Sequence, residues 1–202
     1  MTIKYLNPAN IKEQQLKFQD FIIFSLLLVY IYFIAGPIVS LVESYNIKAF
    51  SDIDLKELLA ILIVAPLIEE ISFRTHLSGE KKDVWGALLM FFVFFFFLKI
   101  WWGIVILLLF GGFIFLLYDE FTELICGKYY NLVFYISSLL FGLAHINVIN
   151  SDSIIFKLLF IVTLYLPISL YFGYVRKKLG LAYAICAHSF YNFSALTLNS
   201  LL

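Results

Sequence analysis

The chain has 202 residues, of which 63% are hydrophobic and only 14% charged, and its formal net charge is zero. This composition predicts an integral membrane protein, and the balanced charge gives no indication of a nucleic-acid partner. The apolar runs are long and continuous instead of alternating at every second residue, so helices are expected rather than strands. The predicted fold class is therefore all-α: a polytopic helical membrane protein of about seven transmembrane helices in a single domain.

The predicted elements divide the chain into three parts. Residues 1–20 are expected to lie on the membrane surface as an N-terminal interfacial segment, and residues 21–57 hold the first span, with a bend at Gly36-Pro37, and an outer loop. Residues 58–202 form the core. The predicted spans are 21–42, 58–77, 84–98, 100–118, 129–149, 154–175 and a last one from 181 to the C-terminus.

Lysine and arginine are concentrated in alternate connecting segments, those that follow an even number of predicted spans. Cytoplasmic loops carry an excess of these residues, so the N-terminus is predicted to be cytoplasmic. The expected location is the plasma membrane, with the protein crossing the bilayer several times.

Three charges lie near the end of the second predicted span, in Pro66-Leu-Ile-Glu-Glu-Ile-Ser-Phe-Arg74. A charge inside a bilayer costs about 2.5–3.5 kcal/mol on insertion scales, so these groups are expected to face the protein interior. On a helix, Glu70 and Arg74 are four residues apart and can pair, whereas Glu69 lies about 100° from Glu70. Pro66 lacks an amide donor and predicts a kink just before the acids. The alternative is that both glutamates mark the membrane surface.

Two polar groups of residues interrupt the later spans, Phe141-Gly-Leu-Ala-His145 and His188-Ser-Phe-Tyr-Asn192. His188 and Asn192 are four residues apart and share a helical face. A neutral imidazole is a good base or metal ligand, and an amide can hold a substrate carbonyl. One isolated histidine would more simply be a hydrogen-bonding group between helices. Two histidines, an asparagine and an acidic pair on three spans instead indicate a hydrolytic site.

Three motifs thus occur in order on three predicted spans. They are Glu69-Glu70-x-x-x-Arg74, Phe141-x-x-x-His145 and His188-x-x-x-Asn192. This ordered set resembles the CPBP intramembrane proteases, a family that includes the CAAX proteases and the Abi proteins of bacteriocin processing or immunity. The resemblance covers roughly residues 58–192. Thr75 stands where the family often has Gly, and the stretch between the first two motifs is longer than in many members, so residues 84–118 are interpreted as an inserted hairpin.

The resemblance implies that Glu69 or Glu70 is the general base for a water molecule that attacks a peptide carbonyl. His145 and His188 would either bind a divalent metal such as zinc together with Glu69, or hold that water directly by hydrogen bonds. A metal lowers the pKa of its bound water, whereas a buried glutamate can itself serve as the base. The sequence contains no closely spaced ligand pair, which slightly favours the scheme without metal.

In the same family scheme, Asn192 stabilises the oxyanion and Arg74 orients the carboxylate with which it pairs. The implied activity is endoproteolysis of a small membrane-associated peptide, either prenylated or carrying a leader, within the lipid bilayer. Two other functions remain open: a non-catalytic immunity or scaffold protein of the same family, and a small transporter with a buried acid–histidine relay.

The depths of the motif residues conflict if all predicted spans are straight. His188 lies about 12 Å from the cytoplasmic end of its span. His145 would lie about 26 Å from the cytoplasmic end of the fifth span if that span began at Lys128. The site can close only if that helix starts later or is strongly tilted.

Overall fold

The computed structural model describes residues 17–35, 53–78, 82–86, 123–147 and 151–199, together with a few further positions. Every regular element among these residues is helical, which confirms the all-α class. Three predictions lie outside the described residues: most of the interfacial segment 1–20, the bend at Gly36-Pro37, and most of the hairpin at 84–118.

The helices follow in chain order, and several are extended by π-helical or 3₁₀ turns. The α-helices are α1 (Phe18–Tyr30), α2 (Leu55–Leu59), α3 (Ala65–Arg74), α4 (Tyr130–Ala144), α5 (Ile154–Phe160), α6 (Leu166–Leu179) and α7 (Leu181–Asn199). A π segment, Ile31–Ala35, continues α1; another, Ala60–Val64, joins α2 to α3; a third, Leu124–Lys128, precedes α4; and a fourth, Ile161–Tyr165, joins α5 to α6. A 3₁₀ turn, Thr75–Ser78, follows α3.

The boundaries differ from the predicted spans mainly in the middle of the chain. The fifth span was expected to reach residue 149, but α4 ends at Ala144 and a turn follows. Among the described residues, one continuous helical stretch, Ile154–Leu179, has the length and hydropathy of a membrane span, and Phe18–Phe33 and Tyr130–Ala144 are shorter apolar helices. The number of about seven spans stays a prediction.

The helix irregularity predicted at Pro66 takes the form of a π-helical turn. The Ala65 amide donates to the Ala60 carbonyl, five residues earlier. In that register the missing amide of Pro66 leaves the Ile61 carbonyl without a donor from its own helix. The Asn192 side-chain amide donates to this carbonyl at 2.9 Å and so ties α7 to the start of the acidic helix.

Pro167 follows a second π-helical turn in the same way. The Leu166 amide donates to Ile161, five residues earlier. The Thr163 carbonyl, within this turn, receives a hydrogen bond of 2.9 Å from the Tyr30 hydroxyl. In both turns a side chain of a neighbouring helix thus donates to a backbone carbonyl, as is usual near prolines in membrane helices.

Helix α6 lies at the centre of the described bundle and packs against α1, α4 and α7, while α3 packs between α4 and α7. The buried apolar core between these helices is mostly aromatic and β-branched. Its buried members are Ile31, Phe73, Phe141, Ile149, Phe160, Ile161, Leu164, Tyr165, Ile168 and Phe172.

Several polar contacts join chain segments at one end of the bundle. The Tyr130 hydroxyl donates a hydrogen bond of 2.8 Å to the Leu77 carbonyl, and Lys177 Nζ lies 4.6 Å from the centre of the Tyr130 ring. Arg176 forms an ion pair with Asp83 at 3.4 Å, and Lys178 forms a buried ion pair with Asp20. The segments that meet here are those that the sequence places on one side of the membrane. Their assignment to the cytoplasmic side stays a prediction.

Gly142 allows α4 to approach the π turn before α6 closely. A Cβ atom on Gly142 would lie 2.9 Å from Ile161 Cγ2 and 3.4 Å from Tyr165 Cβ, atoms held close to the backbone. We expect Gly142→Ala to lower the free energy of unfolding by about 1–3 kcal/mol, the usual cost of overpacking. Thermal unfolding in detergent measures this loss. Gly127→Ala is the matched control, because nothing lies within 4 Å of its added Cβ; equal stability of the two variants would contradict the prediction.

Candidate active site

Glu70 is the buried member of the acidic pair, with a side chain that is 0% exposed. Its Oε1 lies 3.0 Å from His188 Nδ1, and its Oε2 lies 3.8 Å from Arg74 Nε. The predicted pairing of Glu70 with Arg74 is therefore present. A carboxylate can only accept hydrogen bonds, so His188 donates through Nδ1–H. In the neutral ring this leaves the lone pair on Nε2.

His145 has the same arrangement, although a different group fixes it. It caps α4, and its Nδ1 lies 2.8 Å from the Phe141 carbonyl, one turn earlier. A carbonyl oxygen accepts only, so Nδ1 carries the proton and Nε2 the lone pair in the neutral ring. The spacing of the Phe-x-x-x-His motif thus sets which nitrogen of His145 is free.

Glu69 lies where the two free imidazole nitrogens converge. Its Oε2 is 3.6 Å from His145 Nε2 and 3.8 Å from His188 Nε2. Both distances are too long for direct hydrogen bonds. Oε2 is buried and has no hydrogen-bond partner among the described residues, while the Glu69 side chain as a whole is 18% exposed. One carboxylate oxygen and two ring nitrogens therefore surround one point at the edge of the buried site.

These three groups do not fit a metal site as they are arranged here. Their chemistry is suitable, since zinc binds carboxylate oxygen and imidazole nitrogen. In the described part of the chain, no group of three or more His, Cys, Asp or Glu side chains is placed to hold a metal ion.

Arg74 is fully buried and is held by α4 and α6. Its guanidinium donates to the Ser169 hydroxyl, to the Ser169 carbonyl at 3.0 Å and to the Ser137 hydroxyl at 3.3 Å. It also lies 5.1 Å from the centre of the Phe141 ring. The two serines were not predicted from the sequence. Serine is common in membrane helices, so only the need of a buried arginine for several acceptors pointed towards such residues.

Asn192 lies one turn after His188 on α7, as predicted, and its amide nitrogen bonds the Ile61 carbonyl. This nitrogen carries two N–H groups, one of which is used in that bond. The contact fixes α7 against the helix that carries both glutamates.

The depth of His145 is explained by the direction of α4. His145 lies about 22 Å along the helix from Tyr130, whereas Glu69 lies only about 12–14 Å from Leu77. Tyr130 nevertheless bonds Leu77, and His145 faces Glu69. α4 begins at Tyr130, so a later start is not the reason. The unequal lengths between the same two contacts therefore indicate that α4 is tilted relative to α3.

The structure therefore brings together the predicted residues of all three motifs. Glu69, Glu70 and Arg74 come from α3, His145 from the end of α4, and His188 and Asn192 from α7. The Phe141 ring lies between them, with its centre 4.8 Å from that of His145, 5.7 Å from that of His188 and 5.6 Å from that of Phe73.

Comparison with known proteins identifies one family. Residues 115–194 match the model described as "Type II CAAX prenyl endopeptidase Rce1-like", and this segment contains the second and third motifs but not the acidic pair. No curated protein and no solved structure gives a significant match to the chain. The family match confirms the resemblance that the motifs predicted. Over residues 115–194 the chain is therefore similar to the Rce1-like type II CAAX prenyl endopeptidases.

Proposed function

We propose that this protein is an intramembrane endopeptidase that cleaves a small membrane-associated peptide, prenylated or carrying a leader, with water activated by Glu69. The observation that carries this proposal is the unpartnered Oε2 of Glu69 facing two imidazole Nε2 atoms. A general base must lie within reach of the water that it deprotonates, and one of the two neutral imidazoles can accept the other hydrogen bond of that water.

Glu69 and Glu70 take different roles in this proposal. Glu70 is fully buried between His188 and Arg74, so it holds an imidazole and is closed to water. Each acid has a buried Oε2 atom without a hydrogen-bond partner among the described residues, but of the two side chains only that of Glu69 is partly exposed. The difference between the two acids, left open by the sequence, supports Glu69 as the base.

The reaction then follows from the positions of these groups. Glu69 Oε2 takes one proton from the water while the Nε2 atom of His145 or His188 accepts a hydrogen bond from the other. The water oxygen attacks the peptide carbonyl, forming the C–O bond of a tetrahedral intermediate. Glu69 returns its proton to the amide nitrogen as the C–N bond breaks. The second N–H of Asn192 is the donor that we assign to the oxyanion.

A cleavage assay with purified protein in lipid vesicles tests the proposal. Farnesylated CAAX peptides and unprenylated leader-type peptides serve as substrates, and His145→Ala is the comparison. We expect turnover of at least one peptide, a loss of about 100-fold or more in His145→Ala, and no effect of a strong chelator.

Three results would contradict the proposal. Folded wild-type protein that binds a peptide without cleaving it would support the scaffold function. Proton-coupled uptake of a solute by the same vesicles would support the transporter. Activity that is lost with chelator and restored by zinc would show that the water is activated by a metal and not by Glu69 alone.

A further inference from the structure

Helix α6 and its N-cap residue Tyr165 contain none of the three motifs, yet together they contact all three. The Tyr165 ring stacks on His145, with ring centres 4.5 Å apart and planes at 26°. The Phe172 ring stacks on His188, at 4.6 Å and 22°. Between them, Ser169 accepts hydrogen bonds from Arg74 through both its hydroxyl and its carbonyl. Each motif helix therefore has one functional side chain supported from α6.

These three supporting residues form one face of the helix. Tyr165, Ser169 and Phe172 are separated by four and three residues, the spacing that places side chains on the same side of an α-helix. All three are buried. Tyr165 is the last residue of the π-helical turn and the N-cap residue of α6, so the face begins where this turn ends.

The two stacked rings supply a constraint that the hydrogen bonds do not. Each imidazole is held at Nδ1 by a single acceptor, the Phe141 carbonyl for His145 and Glu70 for His188. One hydrogen bond fixes one atom of the ring but leaves the ring plane free to turn about it. An aromatic ring stacked within 5 Å restricts that plane and so sets the direction of Nε2. A misplacement of about 1 Å in a catalytic group can cost about 100-fold in rate.

Ser169 acts one step further from the reacting atoms. Its hydroxyl and carbonyl hold the Arg74 guanidinium, whose Nε faces Glu70, and Glu70 in turn accepts the Nδ1–H bond of His188. The tautomer of His188 with its lone pair on Nε2 thus depends on a chain of contacts that begins on α6.

We propose that Tyr165, Ser169 and Phe172 are a fourth sequence element of the site, a Tyr-x-x-x-Ser-x-x-Phe face that positions both imidazoles and the arginine. These are positioning residues, since none of them lies at the point where the two Nε2 atoms and Glu69 converge. The inference rests on the proposed protease function for its effect on rate, but its effect on the imidazoles is independent of that function.

The first test separates ring stacking from packing. Phe172→Leu and Tyr165→Leu keep a large apolar side chain but remove the ring, whereas Tyr165→Phe keeps the ring. We expect kcat to fall by about 10- to 100-fold in both leucine variants, with KM changed less than about 3-fold, and near wild-type kcat in Tyr165→Phe. Val162→Ala is the control on the same helical stretch, because Val162 is 53% exposed. Wild-type kcat in both leucine variants would overturn the proposal.

The second test needs no substrate and so keeps the inference separate from the proposed function. Nitrogen NMR of folded, histidine-labelled protein in detergent distinguishes protonated from unprotonated ring nitrogens. We expect a single Nδ1–H tautomer for His145 and His188 in the wild type and in Tyr165→Phe. We expect faster ring motion, measured by nitrogen relaxation, at His145 in Tyr165→Leu and at His188 in Phe172→Leu, and a mixture of tautomers at His188 in Ser169→Ala. Unchanged ring relaxation in the two leucine variants together with an unchanged single tautomer in Ser169→Ala would overturn the proposal, even if the wild type has no protease activity.

Discussion

Replacing Glu69 with Gln is expected to reduce peptide cleavage by about 100- to 10,000-fold while leaving the amount of folded, membrane-inserted protein unchanged. This range is the usual contribution of a general base, and the amide cannot take a proton from water. No structural loss is expected, because the Glu69 Oε2 atom makes no hydrogen bond within the described residues. The measurement is the initial rate of cleavage in vesicles, normalised to folded protein.

Glu70→Gln is the matched comparison, since it makes the same chemical change one residue away. Glu70 is buried against Arg74 and His188, so its replacement is expected to lower stability as well as activity. The two variants should therefore differ in the yield of folded protein, although both lose cleavage. Full cleavage by Glu69→Gln would show that Glu69 is not the base.

Replacing Arg74 with Met is expected to lower the free energy of unfolding by about 3–5 kcal/mol, the cost of removing one partner of a buried ion pair. Arg74 and Glu70 are both fully buried, so the remaining carboxylate would be left without its counter-charge. The serine hydroxyls and the Ser169 carbonyl that accept from Arg74 would also lose their donor. Chemical unfolding in detergent, followed by tryptophan fluorescence, measures the loss.

The double variant Glu70→Gln with Arg74→Met tests the cause of that loss. It removes both charges, so it is expected to recover part of the stability lost by Arg74→Met alone. Equal or greater destabilisation in the double variant would mean that the uncompensated charge of Glu70 is not the main cost. Arg74 would then stabilise the fold mainly through its contacts with α4 and α6.

Much of the site could be predicted because its residues repeat at helical spacing. Glu70 and Arg74, Phe141 and His145, and His188 and Asn192 are each four residues apart, and each pair shares a face in the structure as expected. A charge or an imidazole inside an apolar run is also conspicuous. The sequence therefore indicated which side chains face the protein interior instead of the lipid.

The supporting contacts could not be predicted, because they join residues that are distant in the chain. Arg74 bonds Ser169, which lies 95 residues later, and serines and aromatic residues are too common in this sequence to mark such a contact. The difference between Glu69 and Glu70 likewise depends on tertiary placement, since both belong to the same motif. The end of α4 at Ala144 depends on a turn for which the apolar sequence gave no signal.

The two π-helical turns have a consequence for how the bundle assembles. Lipid tails are as apolar as leucine side chains, so burying one apolar helix face against another discriminates poorly between alternative alignments in a membrane. A backbone carbonyl in a π-helical turn that accepts from another helix is different, because it is a single polar atom at a fixed height on its helix. The Ile61 carbonyl accepts from Asn192, and the Thr163 carbonyl accepts from Tyr30. These two hydrogen bonds thus fix the vertical alignment of an otherwise apolar bundle at two points, one of which sets the level of His188 against the acidic pair.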